Sequence, residues 1–141
     1  MRDKPSRPKQ NKTRRTTGRG AGVDFTRRQA FLIFDSQDQY AFAGARAVAM
    51  PNRRLLFQSG PTEIDLEIVA DPRGCKRRIT GQVQVKTGEW PSAVTFQHVD
   101  RRYVAAIDGC GEFELEGLRQ GDYAIAVDFD DWGVIVPQIS I

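Results

Sequence analysis

The chain has little of the chemistry on which enzymes and metal sites depend. Its 141 residues include one histidine, His98, and two cysteines, Cys75 and Cys110, with no Cys-x-x-Cys pair. A structural zinc ion takes four Cys or His ligands, so such a site is poorly supported. No G-x-x-x-x-G-K-[ST] phosphate loop and no G-x-S-x-G nucleophile elbow occurs. We therefore predict a protein that is not an enzyme, with no cofactor, no metal and no small-molecule substrate.

Long apolar stretches are also missing. No apolar run approaches the roughly 18 residues that a membrane-spanning helix needs. The basic N-terminal residues are not followed by the apolar core of a secretory signal. We therefore expect a cytoplasmic protein without a membrane partner. In that reducing compartment Cys75 and Cys110 are expected to be free thiols, and a disulfide between them is the alternative.

Charge is distributed unevenly along the chain. Residues 1–22 hold eight of the 21 Lys and Arg and one of the 18 Asp and Glu, a net charge of +7, which leaves −4 for the rest. Such a segment lacks the apolar residues to offset its ordering entropy, so we predict a disordered arm. It either only solubilises the protein or lies along nucleic-acid phosphates, although it has no aromatic residue for stacking on bases. The cations for phosphate contact are Arg7, Lys9, Lys12, Arg14, Arg15 and Arg19.

Residues 23–58 are too apolar for a plain linker and are predicted to be an extended connector. The run Ala30 to Phe34 is continuously apolar, so its periodicity does not separate strand from helix. The segment either packs along its own domain or stays exposed until a partner covers it. Aromatic side chains are the expected anchors of such an interface. The candidate anchors are Phe31, Phe34, Tyr40, Phe42 and Phe57.

Residues 59–141 carry the pattern of short strands. Ile64, Leu66 and Ile68 alternate with acidic residues, and similar alternation returns about every ten residues between Gly, Pro and Asp turns. That spacing indicates an all-β sandwich. In residues 109–125, Phe113 and Leu115 alternate with glutamates that should share a solvated face. Gly117 and Gly121 then predict a turn, so the block is expected to form an antiparallel hairpin.

The same block carries a family resemblance. The pattern from Asp108 through Gly111 and Phe113 to Gly121-x-Tyr123-x-Ile125-x-Val127 resembles the closing half of a carboxypeptidase-regulatory-like, or transthyretin-like, domain. The resemblance covers about residues 76–141 and implies an antiparallel, seven-stranded, Ig-like sandwich. It says little about activity, because one fold hosts many functions. Related hydrolases use several histidines, which this chain lacks.

A second resemblance bears on function. Residues 53–57 followed by 64–68 are similar to small bacterial proteins associated with sigma-factor genes and signalling operons. This implies an accessory or regulatory protein whose partner is a sigma factor or a signalling protease. We therefore predict a non-enzymatic protein-interaction module that docks through residues 31–57. A nucleic-acid-binding protein using the basic arm is the first alternative, and a structural or assembly subunit is the second.

Overall fold

A computed structural model describes residues 26–38 and 52–141 of the chain. The predicted basic arm, Tyr40 and Phe42 lie outside these described residues. Within them, residues 36–38 form one helical turn, and no helix is long and apolar enough to cross a membrane. The strands are β1 Thr26–Gln29, β2 Phe31–Asp35, β3 Asn52–Ser59, β4 Thr62–Ala70, β5 Lys76–Val85, β6 Ala93–His98, β7 Arg101–Ala105, β8 Glu112–Arg119, β9 Asp122–Asp128 and β10 Trp132–Ser140.

The strands form two five-stranded sheets, which confirms the predicted all-β fold. Sheet A has the order β1-β10-β9-β6-β7, and sheet B has the order β2-β3-β4-β5-β8. The expected count of seven strands is wrong, because the described residues contain ten. The pairing is also not wholly antiparallel, since β1 runs parallel to β10.

The hydrophobic core lies between the sheets and follows the period-two alternation of the strands. In β4, Ile64, Leu66 and Ile68 point inward and are almost fully buried, while the acidic residues between them point outward. In sheet A, Phe96 and Tyr123 meet edge to face with ring centroids 6.5 Å apart. Full burial of such a side chain contributes roughly 1.5–3 kcal/mol, so the two inner faces supply most of the stabilisation.

The N-terminal strands close one side of the sandwich. β1 pairs with β10 in sheet A, and β2 pairs with β3 in sheet B, so the chain changes sheets at Ala30. Ala30 is buried, and its backbone N–H donates to the carbonyl of Ile135 at 2.9 Å. Residues 23–58, expected to be a connector, therefore contribute β1, β2 and almost all of β3 to the two sheets.

The predicted hairpin around Gly117 and Gly121 is not a hairpin. β8 pairs with β5 in sheet B, whereas β9 pairs with β10 and β6 in sheet A, so their connection is a corner between the sheets. Gly117, with φ +74°, lies at a bulge inside β8, where the register to β5 shifts. The bulge lets Leu118 return to the core, where it is fully buried. The turn itself is confined to residues 120–121.

Both cysteines are free and exposed. Cys75 precedes Lys76, which pairs with Arg119, while Cys110 precedes the opposite end of β8, where Glu112 pairs with Gln82. Lys76 and Gln82 are six residues apart on β5, a separation of about 20 Å at the usual strand rise. A disulfide needs Cα atoms within about 7 Å, so an internal Cys75–Cys110 bridge does not fit this fold.

Candidate functional site

Strand β2 presents the largest group of exposed apolar side chains in the described residues. Phe31, Leu32 and Ile33 are 62%, 48% and 53% exposed, and they are consecutive in the chain. β2 is the outermost strand of sheet B, and no described strand pairs with its outer edge. An outer edge carries unpaired backbone N–H and C=O groups beside these side chains. Single exposed apolar residues need no explanation, but a consecutive run on a sheet edge marks a surface suited to a partner.

A bulge lies within this exposed run of β2. Leu32 pairs with Phe57 and Phe34 pairs with Leu56, so Ile33 is the extra residue between them. An extra residue interrupts the alternation between the two faces and twists the strand locally. Leu32 lies opposite buried Phe57, on the inner face, and is nevertheless 48% exposed because β2 is the edge strand.

A buried ion pair fixes the C-terminal end of β2. Asp35 is 8% exposed and accepts hydrogen bonds from Arg53 Nη2 at 2.6 Å and Nε at 3.2 Å. Burial alone would raise the pKa of Asp35, but the hydrogen bonds from Arg53 and from the Gln37 N–H lower the pKa below its usual value. Arg53 also donates from Nη1 to the Ser140 carbonyl at 2.8 Å, which ties β2 and β3 to β10.

The five predicted aromatic anchors have different positions. Phe31 is exposed, Phe34 is half-buried, and Phe57 is 3% exposed within the core. Tyr40 and Phe42 lie outside the described residues, so the structure does not bring the five together. Sequence reasoning missed Leu32 and Ile33 as exposed residues. The signal that could have identified them is their position in an apolar run, Ala30 to Phe34, that no polar residue interrupts.

An open groove of about 980 Å³ crosses the outer face of sheet B. Most of its lining residues are polar, and several of their side chains bind one another. Arg54 forms a two-point contact with Asp65, and the Asn52 side-chain amide donates to Glu67 at 2.7 Å. Asp108 accepts from the N–H groups of Cys110 and Glu112. These contacts are typical of a solvated sheet face and do not leave an isolated reactive group.

The potential metal ligands and the one histidine were located among the described residues. Within residues 26–38 and 52–141, no three His, Cys, Asp or Glu side chains converge as a metal site. The ring of His98 stacks on Tyr123 with centroids 4.8 Å apart, and its Nδ1 lies 2.7 Å from the Asp122 carbonyl. His98 is therefore held in a structural contact at the β8–β9 corner.

Comparison of the chain with protein-family models, with curated proteins and with solved structures found no match. The surfaces of the described residues are therefore the basis for a functional proposal. Among them, β2 combines a consecutive exposed apolar run with an outer edge to which no described strand pairs.

Proposed function

We propose that this protein is a non-enzymatic interaction module that docks a partner protein along the outer edge of β2. One observation carries the proposal: Phe31, Leu32 and Ile33 are about half exposed or more on an edge strand that no described strand covers. The occupant we propose is an extended segment of the partner, which would add a strand to sheet B. Backbone hydrogen bonds would supply affinity, and pockets for the three side chains would supply specificity.

The anchoring of β2 favours this mode of binding. β2 is already held by its pairing with the eight-residue β3 and by the Asp35–Arg53 pair. It therefore loses little conformational freedom when a partner pairs with its outer edge. Binding to a preorganised edge costs less entropy than binding to a segment that must first become ordered. The charged or proline residues that often protect an edge are missing from residues 31–34.

The identity of the partner rests on resemblance alone. We propose a cytoplasmic accessory or regulatory role in a bacterial system, with a sigma factor or a signalling protease as the partner. We also propose that the sandwich is of the transthyretin-like type. The two-sheet, all-β architecture is compatible with that type, and the motif residues Phe113, Tyr123, Ile125 and Val127 point inward as its pattern requires.

A site-specific crosslinking experiment tests the docking proposal. A photoreactive amino acid at Leu32 should crosslink a partner in cells of the native host, whereas the same group at Glu116, on exposed β8, should not. The purified partner is then titrated against the wild-type chain and against Ile33→Lys. A charge at the apolar edge should weaken binding by at least tenfold, which corresponds to about 1.4 kcal/mol.

Val104→Lys is the matched control. Val104 is 57% exposed on β7, which is an edge strand of sheet A on the side of the sandwich away from β2. Equal losses for Ile33→Lys and Val104→Lys would reject the β2 edge as the docking site. Crosslinking of Leu32 to a second copy of this chain, with Ile33→Lys converting a dimer to a monomer, would instead support an assembly subunit.

A further inference from the structure

The hairpin between β6 and β7 ends in a strained, exposed valine. His98 pairs with Arg101, so Val99 and Asp100 form the two-residue turn. Val99 has φ +42° and is 87% exposed. Two-residue hairpin turns favour Asn and Gly at such positions, and a β-branched residue with positive φ is uncommon. Strained residues of this kind cluster at functional sites, where the surrounding structure maintains them.

Exposed cations lie at the same end of the sandwich as this hairpin tip. They come from the β4–β5 turn, the start of β5, the start of β7 and the end of β8. We name the surface that they define the basic end. Its residues are Arg73, Lys76, Arg101, Arg102 and Arg119. None of the five takes part in an ion pair with another residue of the described ranges. Lys76 and Arg119 lie directly opposite each other on β5 and β8, an arrangement of like charges that disfavours the fold.

The structure brings these cations to one end of the sandwich. The Gln120 N–H at the β8–β9 corner donates to the Cys75 carbonyl in the β4–β5 turn. Gly121 approaches His98 so closely that a Cβ there would lie 2.8 Å from the imidazole Cε1. Arg101 and Arg119 both favour the ionised form of the Tyr123 hydroxyl, although burial dominates and raises its pKa. Both guanidinium groups are therefore close enough to the Tyr123 hydroxyl to affect its ionisation.

Three side-chain carboxylates share this end of the molecule and offset part of the side-chain charge, and the Ile141 main-chain oxygen also lies there, accepting from the Gly121 N–H at 3.1 Å. Asp71 accepts the Arg73 N–H at 2.9 Å, and Asp122 accepts the Ser140 hydroxyl at 2.6 Å. Asp100 lies in the turn beside Val99. Five cations against three carboxylates leave the surface positive, and two of the three carboxylates are already engaged as hydrogen-bond acceptors.

We propose that the basic end binds the phosphate backbone of nucleic acid, with Val99 contacting sugars or bases between the bound phosphates. Four of the five cations are arginines, whose planar guanidinium forks match phosphate oxygens in a two-point contact. Apolar side chains flanked by cations are inserted between base steps by many architectural proteins. A single valine side chain is much smaller than a myristoyl chain, which itself gives only marginal membrane binding. Nucleic acid is therefore favoured over an anionic membrane.

This surface is separate from the β2 edge, and it lies at the opposite end of the sandwich from the first described residue. β2 is an edge of sheet B at one side of the sandwich, whereas β7 and β8 are the edges of the two sheets at the other side. Thr26, where the described chain begins, pairs with Trp132 at the end opposite the β6–β7 hairpin. Loss of docking at β2 and loss of nucleic-acid binding can therefore be measured independently.

The test uses the full chain and two labelled probes, a 20-base-pair DNA duplex and a 20-nucleotide single-stranded RNA. Fluorescence anisotropy at several salt concentrations gives the affinity and its salt dependence. The variant Lys76→Ala/Arg101→Ala/Arg119→Ala should bind at least one probe about tenfold or more weakly. Its slope of log affinity against log salt should fall by about two to three, because each lost phosphate contact releases one counterion fewer.

Three further variants separate the contributions. Lys86→Ala removes an exposed cation that follows β5 at the opposite end and should change the slope by less than about one. Ile33→Lys should leave nucleic-acid affinity unchanged. Val99→Gly relieves the strained backbone, so it should raise the unfolding midpoint while weakening binding by about threefold or more.

Unchanged affinity and salt slope in the triple variant would overturn the proposal. Binding that disappears only when the six arm cations named above for phosphate contact are replaced by alanine would also overturn it. Binding to vesicles of anionic lipid without binding to either probe would also overturn it. A higher unfolding midpoint of Val99→Gly with unchanged affinity would overturn the contact assigned to Val99.

Discussion

At the scale of single residues, Gly81 is the clearest case of a side chain whose absence the fold requires. Gly81 lies on β5 between Leu66 on β4 and Phe113 on β8. A Cβ at this position would lie 2.2 Å from Phe113 Cζ and 2.9 Å from a methyl carbon of Leu66. The Phe113 ring occupies the space above the glycine and is itself packed 6.2 Å from Phe96. An aromatic ring that covers a strand glycine in this way stabilises an otherwise weak position.

We therefore expect Gly81→Ala to destabilise the protein by about 1–3 kcal/mol, because the added carbon would overlap the Phe113 ring and force it to shift within a packed core. Urea unfolding followed by circular dichroism measures the change. Gly74→Ala is the control, since Gly74 is exposed and has no atom within 4 Å of the added carbon. A stability of Gly81→Ala equal to that of Gly74→Ala would show that the ring does move.

The Asp35–Arg53 pair is a pH-sensitive contact within the described residues. The pKa of Asp35 is lowered, with burial opposing and the Arg53 and Gln37 hydrogen bonds favouring the charged form. A group whose pKa is lower in the folded state stabilises the fold above its unfolded pKa. That stabilisation is lost as the pH falls through the folded pKa.

Asp35→Asn should accordingly lower the free energy of unfolding by about 1–3 kcal/mol at pH 7. The difference from wild type should shrink as the pH falls below about 4, where the wild-type carboxylate begins to be protonated in the unfolded chain. Urea midpoints measured between pH 7 and pH 3 check this. Asp130→Asn, at an exposed turn residue, should follow the wild type at every pH. A constant difference between Asp35→Asn and wild type would contradict the assignment.

At the scale of elements, the β8–β9 corner depends on one hydroxyl. The Tyr123 hydroxyl donates to the Arg119 carbonyl, four residues earlier, at 2.6 Å. The bond spans the two residues in which the chain passes from sheet B to sheet A. A tyrosine that bonds back across such a crossing is the tyrosine corner known from Greek-key sandwiches.

Tyr123→Phe keeps the ring in the core but removes this bond, so we expect a loss of about 1 kcal/mol without a change in fold. Tyr103→Phe is the control, because Tyr103 is half-buried in the same aromatic group and its hydroxyl makes no hydrogen bond within the described ranges. Thermal unfolding followed by near-ultraviolet circular dichroism compares the two variants. Equal stability would mean that ring packing alone holds the corner.

The central strands could be predicted from sequence because each has one buried and one solvated face. Ile64, Leu66 and Ile68 alternate with acidic residues, and the structure places the first set inside. Alternation does not say which strand pairs with which. The glycines near residue 117 therefore predicted a hairpin, whereas the chain crosses between sheets there. The crossing is set by packing between distant residues, which a local pattern does not contain.

At the scale of the whole molecule, the edge strand β2 carries the proposed docking surface, and the edge strands β1 and β2 were the part least visible in the sequence. β1 and β2 are short and carry no clean alternation, since one is polar and the other continuously apolar. Phe31 and Phe57 were both predicted as anchors of one interface, but Phe31 is exposed and Phe57 belongs to the core. Whether an aromatic residue is an anchor or a core residue depends on which strand lies beside it, and that information is not local.

β1 and β2 should also determine which N-terminal residues the stable fold requires. β1 covers the edge of β10, β2 covers the edge of β3, and buried Ala30 links them across the two sheets. A truncated variant comprising residues 23–141 should unfold at the same urea concentration as the full chain, because the removed arm lacks core-forming residues. A variant comprising residues 36–141 should lose about 3 kcal/mol or more, or aggregate through the uncovered edges. The fluorescence of Trp132, whose ring lies 5.5 Å from the Arg28 guanidinium carbon, reports the transition. If residues 36–141 unfold at the full-length midpoint, β1 and β2 are accessory strands, and the stable sandwich starts at β3.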